Sequence, residues 1–326
     1  MKHTIFPMDN APNPLTADLL KALEDKYTAM GQDMPAYLQG LLHADYITYW
    51  DYIHLDTLLS LQNTRTDFPD EMIFITYHQT TELYFRLVLW EMQQIADHES
   101  LTAVFFAERV RRMNRYFEIL VHSFGVMIEG MEKEQFLKFR MSLLPASGFQ
   151  SVQYRKIEIC ATKFRNLVEV GQRHQLPSDA AFAELYEHLY WKKGATELAT
   201  QQKTLTLKQF EKKYSNDLIA LAETFGQKNL WMRYRKLATG ERENPDLIQA
   251  LRRFDTLVNV SWPLAHFTSA ARYLHRDRQV IAATGGTNWQ QYLPPRFQNR
   301  IFYPELWTDD EKANWGKSWV EETVGS

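Results

Sequence analysis

The chain has 326 residues, of which 45% are hydrophobic and 13% aromatic. This apolar content supports a large folded core and excludes an intrinsically disordered chain. The formal net charge of −3 is too small to attract nucleic acid or an anionic membrane, so we expect a small-molecule partner. No apolar run reaches the roughly 18 to 20 residues of a membrane span, and the first residues lack a signal-peptide pattern. We therefore expect a cytoplasmic protein.

Glycine, proline and cysteine usage narrows the fold class. Only 13 Gly and 12 Pro occur, and they do not recur at the short intervals that strand turns require. This pattern predicts long helices and an all-α fold. Cys160 is the only cysteine, which excludes an intrachain disulfide, a cysteine-rich zinc site and covalent attachment of a haem through Cys-x-x-Cys-His.

Two regions are expected along the chain. Prolines at positions 7, 12 and 14 predict an extended N-terminal arm over residues 1–15. Residues 16–326 are predicted to form one helical domain. Its first helical pattern begins at Thr16, and its second spans Tyr46 to Leu61. In both, apolar side chains recur every three or four residues.

The clearest helical pattern runs from Asp70 to Ile95. Five side chains at helical spacing share one face of it: Phe74, His78, Thr81, Phe85 and Val88. Further helices are predicted over the ranges 102–130, 133–143, 151–173, 178–191, 207–224 and 229–238. Between residues 174 and 206 the sequence is polar, which predicts a short helix flanked by surface loops.

The C-terminal third contains a clear helix start and a clear interruption. Asn244 followed by Pro245 is a capping residue followed by a proline at the first helical position. Pro263 lies inside the pattern that follows, so we expect the helix to kink or restart there. The pattern then continues to Arg278 and stops at the Gly285-Gly286 pair.

Ten histidines occur, and two of them are candidates for chemistry. His78 lies on the apolar face of its helix with Glu82 one turn later, but no His-Glu-x-x-His motif or cysteine pair supplies further metal ligands. His266 lies one turn after Trp262, and a single histidine facing a cavity suits axial ligation of haem iron. A satisfied core histidine is the alternative for both. Five others are predicted to be solvated: His3, His43, His98, His174 and His188.

Two further features suit binding of a polar ligand. Arg140 precedes a loop containing Pro145 and Gly148, and an arginine beside a loop can clamp a carboxylate through two hydrogen bonds. A surface salt bridge is the alternative. The turn from Thr284 to Thr287 carries hydroxyls and exposed amides that could close on a ligand, although a plain helix-ending loop has the same composition.

Four segments in this order resemble the tryptophan 2,3-dioxygenase family. They are YWDYIHLDTLLSLQ from Tyr49, DEMIFITYHQTTELYFRLVLWEM from Asp70, FRMSLLPASGFQSVQYR from Phe139, and Trp262 to His266 with the later ATGGT. Together they span roughly residues 46 to 295. The resemblance implies a helical haem enzyme whose pocket lies between helices.

The resemblance assigns roles to particular residues. It implies that His266 is the iron ligand of a non-covalent haem b, active as ferrous iron, with Trp262 and Gly285 beside the cofactor. It implies that His78 faces the indole N–H of the substrate. The remaining implied substrate contacts are Phe74 and Phe136 in the pocket, Arg140 at the carboxylate and Thr284 at the ammonium group.

Family members are homotetramers in which an early tyrosine-containing segment closes a neighbour's pocket. This implies that Tyr49, Tyr52 and Ile53 act in trans. The chain departs from the family pattern between His266 and the Gly-Gly loop, where it is about four residues longer, or about one helical turn. Ala283 also replaces the first glycine of the loop, which bears on substrate preference.

The resemblance implies a dioxygenase that uses dioxygen to open the indole ring of L-tryptophan to N-formylkynurenine. Three alternatives stay open. A haem enzyme of the same superfamily could insert one oxygen atom into tryptophan, tyrosine or a derivative. A helical haem or ligand-binding protein would bind without turnover. A helical interaction module would bind no cofactor, and both candidate histidines would be core residues.

Overall fold

The computed structural model describes residues 14–44, 47–197, 200, 202–276, 279–280 and 293–317. These residues fall into two compact units, one ending at Leu61 and the other beginning at Gln62. Nearly all of their regular structure is helical, which confirms the predicted all-α class. Residues 1–13 lie outside the described residues, so the predicted arm over 1–15 and single domain over 16–326 stay predictions.

The described part of the first unit contains four helices: α1 (Pro14–Ala29), α2 (Met34–Leu42), α3 (Tyr49–Tyr52) and α4 (Leu55–Leu59). The rings of Tyr27 and Tyr37 meet edge to face at a centroid distance of 5.2 Å. None of the described residues from 15 to 61 is buried. The predicted continuous helix over 46–61 is wrong, because His54 has a φ of 53° and this left-handed residue separates α3 from α4.

The second unit contains the longer helices. Their bounds are α5 (Asp70–Asp97), α6 (Ala103–Ile128), α7 (Lys133–Phe139), α8 (Val152–Ala161), α9 (Val170–Arg173), α10 (Phe182–Glu187), α11 (Tyr190–Gly194), α12 (Leu205–Phe225), α13 (Leu230–Arg235), α14 (Thr239–Arg242), α15 (Pro245–Thr256), α16 (Trp262–Leu274), α17 (Pro295–Gln298) and α18 (Asp309–Ala313). Two-residue strands β1 (His275–Arg276) and β2 (Gln279–Val280) pair antiparallel.

Helix α6 organises the core of this unit. Its N-terminus is capped by Thr102, whose hydroxyl accepts a hydrogen bond from the Phe105 amide. One face of α6 buries a continuous apolar stripe that includes Phe117, Leu120 and Phe124. This stripe packs against α5, α15 and α16, so helices from the first and the last part of this unit are fixed around one central helix.

The predicted helix start at Asn244 and the predicted interruption at Pro263 are both confirmed. The Asn244 side chain accepts a hydrogen bond of 3.1 Å from the Leu247 amide, and Pro245 is the first residue of α15. Residues Leu257–Ser261 then form a wider π-helical turn directly before α16. The predicted continuation to Arg278 is wrong, since α16 ends at Leu274 and the chain enters the β1–β2 pair.

Other predicted helices are shorter than their patterns indicated. The prediction over 133–143 ends at Phe139 and continues as a 3₁₀ turn, and the prediction over 151–173 is interrupted after Ala161. Residues 174–206 contain the short helices α10 and α11 and exposed stretches such as 177–179, but not every residue there lies at the surface. They bury Tyr186, Tyr190 and Trp191, because aromatic residues of this polar stretch pack into the core.

The described helices bear on two sequence predictions, one about membrane-spanning segments and one about Cys160. None of the helices in the described part of the chain is both long enough and apolar enough to cross a bilayer. Cys160 is a free, buried thiol in α8, and burial raises the pKa of that thiol. It belongs to the packed interior.

The core position of Phe254 generates a test of this architecture. Phe254 is fully buried on α15 and its ring meets Phe117 edge to face at 5.7 Å. We expect Phe254→Ala to lower the free energy of unfolding by about 3 to 5 kcal/mol, because it leaves a cavity. Phe297→Ala is the matched control, because that ring is 55% exposed. Urea denaturation measures both, and equal losses would contradict the packing.

Candidate functional site

A backbone hydrogen bond defines the tautomer of the His78 imidazole. Its Nδ1 lies 2.7 Å from the carbonyl oxygen of Phe74, one turn earlier on α5. A carbonyl can only accept, so Nδ1 carries the hydrogen and Nε2 carries the lone pair. Burial lowers the pKa of His78, and this outweighs the opposing effects of the Phe74 carbonyl and of the Glu82 carboxylate. The imidazole is therefore neutral near pH 7.

An aromatic cluster joins His78 to the end of α7. The Phe74 ring lies 4.2 Å from the His78 ring, 5.6 Å from the Phe139 ring and 6.0 Å from the Phe136 ring, measured between centroids. Phe136 also lies 4.6 Å from Tyr273 on α16. These contacts place the end of α7 beside the helix that carries His78.

Arg140 follows this cluster directly and is buried. Its exposed fraction is only 5%, so the residue is not exposed at the surface, and the predicted contact with a carboxylate stays a prediction. Burial lowers the pKa of its guanidinium, which nevertheless stays protonated near pH 7. A buried guanidinium interacts strongly with an anion, because little water competes for its N–H groups.

His266 is a neutral imidazole in apolar surroundings. Burial, followed by the positive charge on protonated His78, lowers its pKa from 6.5 to about 4. Its ring stacks on Phe124 at 5.9 Å, and a Cβ built on Gly148 would lie 3.6 Å from its Cε1 atom. Within the described part of the chain, neither ring nitrogen makes a hydrogen bond. The residue as a whole is half-buried.

The structure brings the two candidate histidines together through two aromatic rings. Tyr77, which precedes His78, lies 5.7 Å from the His78 ring and 5.8 Å from Phe124. Phe124 in turn stacks on His266. The charge of one imidazole affects the pKa of the other, so the two rings lie within electrostatic range. Sequence patterns alone could not establish this proximity.

Trp262 packs the start of the His266 helix against the core. Its indole contacts the rings of Phe85 at 5.6 Å, Phe124 at 4.8 Å and Phe117 at 6.3 Å. It therefore anchors the start of α16 in the core. The contact with a cofactor that the sequence predicted for Trp262 stays a prediction.

The remaining predicted site residues belong to the first unit or lie outside the described residues. Tyr49, Tyr52 and Ile53 belong to the first unit, where both tyrosines are exposed. Thr284 and Gly285 lie outside the described residues. Among the histidines predicted to be solvated, His43 and His174 are exposed, whereas His98 is half-buried and its ring lies 4.3 Å from Phe105.

Sequence reasoning missed three residues that define the site. Tyr77 and Phe124 lie on apolar helix faces, and that pattern indicates burial without revealing which histidine each ring contacts. Gly148 was read only as a helix breaker. Its Cα lies beside the His266 ring, a proximity that depends on how the loop after Pro145 folds back onto α16.

One cofactor class fits these side chains. Among the described residues, no group of three or more His, Cys, Asp or Glu side chains is placed to hold a metal ion. The neutral imidazole of His266 has one unprotonated ring nitrogen, and its ring stacks on the apolar Phe124 side chain. His266 therefore suits a metal whose other ligands come from an apolar macrocycle.

A concave region is formed by residues other than these. An open groove of about 700 Å³ is lined by charged side chains of α6 and α15, including Arg111, Asp246 and Arg252, and by Trp307. Neither candidate histidine lines this groove. Its open, charged character does not suit an apolar macrocycle.

Comparisons with known proteins agree with the geometry. A sequence model of the family described as tryptophan 2,3-dioxygenase matches residues 39–237. The tryptophan 2,3-dioxygenase of Ruegeria sp. strain TM1040 is 32% identical over 81% of this chain and 92% of its own length. The corresponding proteins of Bradyrhizobium diazoefficiens and Bacillus thuringiensis subsp. konkukian are 28% and 26% identical, over 80% and 85% of this chain and 91% and 98% of their own lengths.

The lowered pKa of His266 predicts a pH dependence of the ligand-free protein. Below pH 6.5 the unfolded imidazole binds a proton, whereas the folded ring stays neutral until about pH 4. Because the unfolded state binds more protons, the free energy of unfolding should fall as the pH falls through this window, by up to about 3 kcal/mol from this group.

Urea denaturation at several pH values measures this effect. His266→Leu should lose less stability than the wild type between pH 6.5 and 4. His174→Leu, at an exposed site, is the matched control and should keep the wild-type slope. Equal slopes for His266→Leu and the wild type would contradict the assignment.

Proposed function

Because this chain belongs to the tryptophan 2,3-dioxygenase family, we propose that it opens the indole ring of L-tryptophan to N-formylkynurenine, with a non-covalent haem b held by His266. Family membership makes the chain an oxidoreductase. One observation carries the finer proposal. The fold brings two neutral imidazoles from distant helices to one aromatic cluster, beside a buried guanidinium.

His266 is the residue proposed to hold the haem iron. Its neutral state supplies a lone pair near pH 7, and its apolar neighbours suit a porphyrin face. It lies beyond residues 39–237 matched by the family model, so its role is supported by its surroundings and by the sequence resemblance. When bound, ferrous haem supplies the electronic chemistry that activates dioxygen.

Arg140 is proposed to bind the substrate carboxylate. A guanidinium can donate two parallel hydrogen bonds to a carboxylate, which fixes orientation as well as position. The neighbouring rings of Phe74 and Phe136 then line the aromatic end of the pocket. The sequence resemblance places Thr284 at the ammonium group, which would complete recognition of an amino acid.

His78 is proposed to orient the indole ring. The hydrogen bond from its Nδ1 to the Phe74 carbonyl leaves Nε2 as an acceptor for the indole N–H. The hydrogen bond also fixes the ring plane, so the substrate binds in one orientation. His78 acts here by holding a proton donor in place, and the proposal needs no strong base.

The first unit is proposed to act in a homotetramer. Residues 15–61 bury none of their described side chains, and large apolar side chains such as Leu19, Leu42 and Tyr52 are more than half exposed. Exposed apolar surface on this scale indicates an interaction site. We infer that another copy covers it, with Tyr49, Tyr52 and Ile53 contributing to that copy's pocket.

Product mass and a visible spectrum test the proposed function. The purified protein is supplied with haem, reduced, and given L-tryptophan before ¹⁸O-labelled dioxygen. We expect a Soret band and a product that has gained two labelled oxygen atoms. Gain of one labelled atom would indicate a mono-oxygenase, a Soret band without product would indicate a binding protein, and no Soret band would indicate a cofactor-free module. Each of these three results would overturn the proposal.

If His78 orients the indole, its removal should lower tryptophan affinity and leave the haem content unchanged. We expect His78→Ala to weaken tryptophan binding roughly tenfold, because one buried hydrogen bond is lost, while the haem content stays at the wild-type level. Equilibrium titration and the Soret absorbance measure the two quantities. His174→Ala, at an exposed site, is the control. Unchanged binding and turnover in His78→Ala would remove the proposed role.

A further inference from the structure

The helix that carries His266 begins at a defect in its own hydrogen bonding. In the π-helical turn Leu257–Ser261, the Trp262 amide donates to the Leu257 carbonyl, five residues earlier. The next donor in that register would be residue 263, which is proline and has no N–H. The carbonyl of Val258 therefore lacks its donor from within the helix, although Val258 is fully buried.

Two side chains from distant parts of the chain supply the missing donors. The Tyr154 hydroxyl on α8 donates to the Val258 carbonyl at 3.0 Å, and the Arg300 guanidinium donates to it at 3.2 Å. Arg300 also donates to the Tyr154 hydroxyl at 2.9 Å. Both side chains are buried, so water does not compete with these bonds.

Arg300 is itself held in place by a buried network. Its Nη1 contacts the carboxylate of Glu158 and the hydroxyl of Tyr190. Arg155 donates to the same two groups, each at 2.9 Å. The guanidinium of Arg300 therefore has little freedom, and its second nitrogen is directed at the π-helical turn.

The Asp255 carboxylate fixes the segment around Arg300 to α15. It accepts hydrogen bonds from the amides of Phe302 at 2.9 Å and Tyr303 at 3.1 Å, and from the Trp307 indole at 3.0 Å. It also accepts from Asn259 within the π-helical turn, at 2.6 Å. The segment after Arg300 is thus tied to the residues immediately before α16.

We propose that Tyr154 and Arg300 are positioning residues that fix the direction of the His266 imidazole, by replacing the hydrogen bond that Pro263 removes. The inference rests on the proposed function, in which His266 holds haem. If the π-helical turn changed its register by one residue, α16 would rotate by roughly 100° and shift by about 1.5 Å relative to α15. His266, one turn into α16, would then no longer point at the same space.

Tyr154→Phe tests this inference with a minimal change. It removes one hydroxyl and keeps the ring, whereas any change at Arg300 also disturbs Glu158 and risks unfolding. Tyr234→Phe is the matched control, because the Tyr234 hydroxyl donates to the Arg242 carbonyl at 2.9 Å and the side chain is equally buried. Both variants should lose a similar amount of thermal stability.

The haem-loaded protein gives two readouts other than activity. One is the iron–histidine stretching band of the reduced protein by resonance Raman, and the other is the rate of haem transfer to excess apomyoglobin. We expect Tyr154→Phe to shift or broaden the band and to release haem roughly three- to tenfold faster, while Tyr234→Phe matches the wild type.

The outcomes separate this inference from the proposed function. Wild-type values for both readouts in Tyr154→Phe would overturn the inference alone. Equal changes in Tyr154→Phe and Tyr234→Phe would indicate a general loss of stability and would also overturn it. A wild-type protein that binds no haem would overturn the proposed function and the inference with it.

Discussion

The site depends on one packing contact, the insertion of Phe124 between the two helices that carry the candidate histidines. Phe124 lies on α6, which packs against both α5 and α16. Its ring contacts Tyr77 of α5 and both Trp262 and His266 of α16. A large, fully packed ring is difficult to compress, so it fixes the separation of the two imidazoles. The spacing of the site is therefore a property of the core.

The electrostatic character of the site follows from the same burial. Imidazoles can be buried at modest cost because they become neutral, and the pKa of His266 and of His78 is lowered for this reason. Arg140 cannot follow that route, since a guanidinium remains charged. Its burial therefore leaves a positive charge in a region of low dielectric.

Local sequence patterns predicted the parts of the fold that local physics determines. The apolar stripe of α5, the Asn244 cap and the interruption at Pro263 each depend on a few neighbouring residues, and all three are confirmed. The pattern also identified His78, His266 and Arg140 as candidates. It could not show that Arg140 is buried, because the salt-bridge alternative has the same local sequence.

Where the sequence predictions failed, long-range contacts between polar groups decide the structure. Residues 174–206 look like surface because they are rich in charged and small residues. Nevertheless Tyr190 is buried there, where its hydroxyl donates to Glu158 and accepts from Arg155. No local pattern reveals a partner more than thirty positions away. Only the fold shows that these polar residues satisfy one another.

Long-range contacts also support the start of the helix that carries His266. A proline at the second position of a helix is tolerated, but in a helix that continues from another it leaves a buried carbonyl without its donor. Repair has to come from outside the helix, and Tyr154 and Arg300 provide it from both sides in sequence. The segment 39–237 that matches the family model contains His78, Arg140 and Tyr154. Residues after it supply His266 and Arg300. The contacts of Tyr154 and Arg300 with the turn before α16 therefore join residues from both sides of the end of that segment.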